Sequence, residues 1–74
     1  METSYYGWAD DSGRKSVDTK VNEGAAIFEY RWQKAPEFVM MNATDLALYH
    51  GGLKAIEAKH IRPNYFWFGP VEVK

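Results

Sequence analysis

Residue types that catalyse reactions are sparse in this chain, and none falls into a spacing that chemistry requires. His50 and His60 are its two histidines, and either could serve as a base near neutral pH or as a metal ligand. Each falls beside an apolar position, where a half-buried or helix-terminal histidine usually sits, and no Asp, Glu or His spacing supplies a second and third ligand. Carboxylates are scattered, so no pair is set up as general acid and base. Ser4, Ser12 and Ser16 have no histidine nearby in a recognisable motif. Gly51-Gly52 is followed by Leu53-Lys54, which is not the spacing of a phosphate loop. The expectation is a chain that is not an enzyme and uses neither cofactor nor metal.

Binding chemistry is better represented. Tyr5, Tyr6 and Trp8 crowd three large rings into a segment whose one aliphatic residue is Ala9. Rings of this kind are enriched at interfaces, and with Arg14 and Lys15 beyond the next turn they make the candidate partner-binding set. The alternative is that the rings fold back and complete a small core. Lys54, Lys59, His60 and Arg62 form a basic cluster interrupted by Glu57; Lys54, Lys59 and Arg62 would lie close to RNA beside a larger partner, or simply form the wet side of a helix. Tyr65-Phe66-Trp67-Phe68 has the composition of a base-stacking platform but lacks the glycine and lysine/arginine interleaving of the common RNA-binding strand. Its expected place is the core.

These residues must be positioned by a few short elements. Val21, Ala25, Phe28, Trp32 and Ala35 recur at helical steps and line one face. Glu23, Ala26, Gln33 and Lys34 lie opposite, while Ile27 and Tyr30 would widen the stripe or make a second one. Asp18 or Thr19 is the expected N-cap; Gly24 costs about 1 kcal/mol relative to alanine, so the first turn should fray and the firm part begin near Asn22. Pro36 ends the helix. Phe38-Val39-Met40-Met41 has no polar residue and reads as a strand buried on both faces. Asn42-Ala43-Thr44 fits a glycosylation site, but with Asp45 following it reads as the cap of a second helix. Leu46, Tyr49, Leu53, Ile56 and His60 keep helical phase through Gly51-Gly52, where two glycines cost about 2 kcal/mol. The expectation is two short helices, at 43–50 and 53–60. Pro63-Asn64 marks a turn, 65–68 a strand, Gly69-Pro70 a break and Val71-Glu72-Val73 an edge strand. Ahead of all this, Asp10-Asp11-Ser12-Gly13 is a turn signal, so residues 1–16 form either a hairpin of Ser4–Ala9 with Arg14–Val17 or a flexible arm.

At 74 residues, the chain is one domain near the lower size limit for a self-sufficient core. It has no cysteine, so its three tryptophans, five tyrosines and four phenylalanines must supply the packing, each burying about 150–250 Å². The fold class expected is α+β: a single small domain, 17–74, with an amphipathic helix and short helices packed on a small sheet. A net charge of −1 argues against a protein whose main work is coating phosphate backbones. No apolar run approaches the roughly 18–20 residues that span a bilayer, and no signal-peptide pattern is present. The expected setting is intracellular.

The opening Tyr5-Tyr6-Gly7-Trp8-Ala9-Asp10 and the segment Glu29-Tyr30-Arg31-Trp32 resemble the small bacteriophage-encoded regulators of bacterial RNA polymerase that inhibit initiation and act as antiterminators. That resemblance implies binding to host polymerase near the RNA exit channel, in the cytoplasm of the host bacterium. It further implies displacement of the promoter-specificity factor and suppression of terminator hairpins, alone or with an elongation factor. It carries no functional residue over, because no defined motif aligns. Two rival expectations are a phage inhibitor of a nuclease or CRISPR effector, for which more acidic charge would be expected, and a small structural protein that oligomerises through its last strand.

Overall fold

Ser16, not Asp18 or Thr19, caps the first helix: its hydroxyl accepts the Thr19 backbone N–H at 3.1 Å. In this computed structural model, which describes residues 4–71, α1 then runs without a frayed turn over Val17–Trp32. It stops ahead of Ala35 and Pro36, because Gln33 takes a left-handed conformation (φ 58°) and donates its N–H to the Glu29 carbonyl at 2.8 Å. Of the expected stripe, Val21 and Phe28 are buried, Ala25 and Trp32 are half-buried, and Ala35 is exposed. Tyr30 makes no second stripe; it is 82% exposed.

Gly24 is buried, and the reason corrects its reading as a weak point. A Cβ there would lie 2.5 Å from Phe68 Cε2 and 2.8 Å from Trp8 Cδ1, so the missing side chain lets the helix backbone rest on two rings of the sheet. Gly24→Ala would gain about 1 kcal/mol in helix propensity and lose about 1–3 kcal/mol to overpacking. The expected outcome is a lower urea midpoint; an unchanged or higher one would show that the rings give way freely.

The sheet has four strands: β1 Ser4–Ala9, β2 Phe38–Met41, β3 Lys54–Glu57 and β4 Tyr65–Val71. Their order is β1-β4-β2-β3, with β4 antiparallel to both β1 and β2, and β3 parallel to β2. Three expectations change here. Ser4–Ala9 neither pairs with Arg14–Val17 nor trails as an arm, but forms an edge strand against β4, from Ser4 opposite Val71 to Ala9 opposite Tyr65. The expected helix at 53–60 is instead β3, an edge strand registered Phe38 to Lys54 through Met41 to Glu57. Gly69-Pro70, a cis peptide, does not interrupt β4. The expected strand at 71–73 lies, beyond Val71, outside the described residues.

The second helix, α2, is one turn, Ala43–Leu46, and not the eight residues expected. Asn42 does cap it, accepting the Thr44 N–H at 2.9 Å. Asp45 does not close a capping box. It is buried and accepts the Asn64 N–H at 2.6 Å, while Lys20 donates to the Asn64 side chain at 3.0 Å. This polar knot ties α1 and α2 to the turn before β4, where Asn64 holds φ 70°, a conformation asparagine tolerates better than most residues.

All the helix lies on one face of the sheet. The core cluster between the layers is Val17, Val21, Phe28, Val39, Met41, Phe66 and Phe68, with Tyr6, Trp8, Trp32 and Leu46 packed at its edge. A single small α+β domain results, as the sequence led one to expect.

Candidate docking surface on the open sheet face

Side chains alternate across a strand, so every second residue of this sheet points away from α1. In β4, Phe66 and Phe68 are buried under the helix, while Tyr65 and Trp67 face outward. Tyr65–Phe68 is thus half core and half surface, not core throughout. Likewise Val39 and Met41 of β2 are buried, whereas Phe38 and Met40 are only half-buried; the strand is covered on one face, not both. Register then places Lys54 beside Phe38 and Ile56 beside Met40 on the same outward face. β1 adds Tyr5.

These outward rings touch one another. Tyr5 stacks on Trp67 across the β1–β4 pair, with centroids 6.1 Å apart and planes at 27°. Phe38 meets Tyr5 edge-on at 6.0 Å, an approach across β4 that depends on Gly69, where a Cβ would lie 2.8 Å from Tyr5 and 2.9 Å from Phe38. His60, in the loop from β3 to β4, stands edge-on to Trp67 at 5.2 Å. Despite this mutual contact, Tyr5 remains 42% and Tyr65 46% exposed. No outward side chain of the described strands is acidic.

The five residues singled out by sequence do not form one patch. Tyr5 lies on the open face. Tyr6 and Trp8 point to the helix side, where Tyr6 meets Trp32 edge-on at 5.4 Å and carries the Arg31 guanidinium over its ring at 5.2 Å. Trp8 packs at the core, its Nε1 buried with no acceptor among the described residues. Lys15 bridges Glu23 at 3.0 Å and Asp10 at 3.3 Å; those bonds, Glu23 foremost, raise its pKa above the ordinary lysine value. Asp10 is held below the usual carboxylate range, chiefly because its oxygen accepts the Ser12 backbone N–H. Arg14 is exposed at the turn. Sequence reasoning missed Phe38, Met40, Tyr65 and Trp67 as surface residues; the signal was present only as alternation that an all-apolar run conceals.

A concavity of about 290 Å³ lies between α1 and residues 49–53, lined by Val21, Ala25, Glu29, Pro36, Tyr49 and Leu53 among others. The Tyr49 hydroxyl on its wall accepts the Leu53 N–H at 3.0 Å. Among the described residues no group of three His, Cys, Asp or Glu side chains is placed to hold a metal ion, and no helix is long and apolar enough to cross a membrane.

No protein-family model, curated protein or solved structure matches this chain.

Proposed function

We propose that this protein is a non-enzymatic binding module that acts through the uncovered aromatic face of its sheet, and that its target is the transcription complex of a bacterial host. The observation that carries the first half is the face itself. Folding a chain this small should bury as many rings as it can, yet Tyr5, Phe38, Tyr65 and Trp67 are left together on one side, with no layer over them among the described residues. Contiguous apolar surface of this kind marks interaction sites, and tyrosine and tryptophan are typical anchors. The second half rests on the resemblance of Tyr5–Asp10 and Glu29–Trp32 to phage regulators of RNA polymerase. In that role the protein works in the host cytoplasm, inhibiting initiation and promoting antitermination by occupancy alone. A nuclease inhibitor that imitates DNA would present carboxylates, and this face has none.

Tagged protein is expected to recover core RNA polymerase from a bacterial lysate, and a Tyr5→Ser, Tyr65→Ser double variant is expected to recover markedly less. Recovery of a nuclease complex without polymerase would replace the target. Undiminished recovery by the folded double variant would remove the open face from the interaction.

A further inference from the structure

We infer that the ligand of the open face is a single-stranded nucleic acid, its bases stacking on the outward rings and its phosphates meeting the basic rim. The inference rests on the reading of that face as the docking surface, and on three further observations.

The first is geometric. Four strands of four to seven residues, at about 4.8 Å spacing, give a flat face on the order of 300 Å². This face falls well below the roughly 800 Å² per partner of a standard protein interface, and holds a protein only with added contacts from outside the sheet. It is wide enough for two or three splayed bases, which stack on any aromatic ring because every base has a π-face. Trp67 sits centrally in β4, Tyr5 is stacked beside it in β1, and Tyr65 lies two residues along the same strand.

The second is the charge pattern. The outward positions hold Lys54 and no carboxylate. His60 stands edge-on to Trp67 at 5.2 Å, and the exposed Lys59 and Arg62 lie within two residues of it in the same loop. On the helix side, by contrast, Lys15 is neutralised by Asp10 and Glu23. Lys54, Lys59 and Arg62 make no ion pair among the described residues, leaving them available to phosphates.

The third is the balance between the two contributions. With a net charge of −1, long-range attraction to a polyanion is small, so stacking must dominate and duplexes, whose bases are already stacked, must bind poorly. Three phosphate contacts to a single strand correspond to a slope of log K against log salt of about −2.

The test uses the full chain and fluorescence anisotropy with labelled uridine and thymidine oligonucleotides of about eight nucleotides, and a duplex of the same length. Both single strands should bind at least tenfold more tightly than the duplex; preference for one of them identifies RNA or DNA as the natural source. Tyr5→Ala or Trp67→Ala should weaken binding about tenfold. In case either ring variant fails to fold, the exposed Lys59→Ala, Arg62→Ala pair should leave the fold intact and flatten the salt slope by more than half. Absence of single-strand binding, or binding indifferent to all these changes, overturns the inference. Should the face variants lose polymerase from nuclease-treated lysate while neither strand binds, the face takes protein, and the reading of it as a docking surface survives. A concentration-dependent dimer abolished by the same variants would instead make a second copy the occupant.

Discussion

Deleting residues 1–9 is expected to unfold the protein, not to trim an appendage from it. β1 supplies the whole hydrogen-bonded partner of one side of β4, in a register running from Ser4 to Ala9. Its inward residues are structural: Tyr6 packs on Trp32, and Trp8 lies where the α1 backbone crosses at Gly24. Total stability at about 0.05–0.15 kcal/mol per residue is about 4–11 kcal/mol for 74 residues. Loss of two large rings from the edge of the core, together with a strand's hydrogen bonds, removes a comparable amount. The deletion would also uncover β4 as a new edge carrying phenylalanines, a template for aggregation. Far-UV circular dichroism and a urea titration decide the matter. A cooperative, native-like transition in the deleted protein would return the segment to the status of an arm.

Phe28→Ala should be the most damaging single truncation in α1, costing about 3–5 kcal/mol and leaving little or no stable fold. Its ring is fully buried and packs on Trp32 at 4.7 Å, within the cluster of Val21, Met41, Phe66 and Phe68. Removing it empties the middle of a core with few residues able to close in. The internal control is Tyr30→Ala, two positions along the same helix: its ring is 82% exposed, so the change should stay within about 0.5 kcal/mol. Urea midpoints of the two variants measure the difference. Equal midpoints would mean that the burial of this helix face is not what holds the domain together. Trp32, half-buried at the rim, should fall between them, less costly than its place in the helical stripe suggests.

The sequence alone determined those elements whose signals are local. A 3.6-residue stripe announced α1, although its start moved to Ser16 and its end to Gln33, because a serine cap and a left-handed residue act at the backbone and leave no hydrophobic trace. Phe38–Met41 was legible residue for residue, being short, apolar and closed by Asn42. The α+β class followed from these two. What only the tertiary structure decided is pairing and coverage. Lys54–Glu57 continues a helical phase from Leu46, yet it pairs along one side with β2, and the phase was a coincidence that two glycines had already broken. Ser4–Ala9 carried a nearby turn signal, but its partner lies more than fifty residues away in β4, a distance over which sequence offers no register. The candidate site was hidden for a different reason. Where both faces of a strand are aromatic, as in Tyr65-Phe66-Trp67-Phe68, periodicity is blank, and only the supply of covering layers tells surface from core. Among the described residues one helix is long enough to cover a sheet face, Val17–Trp32, so one face is buried and the rings on the other are left uncovered.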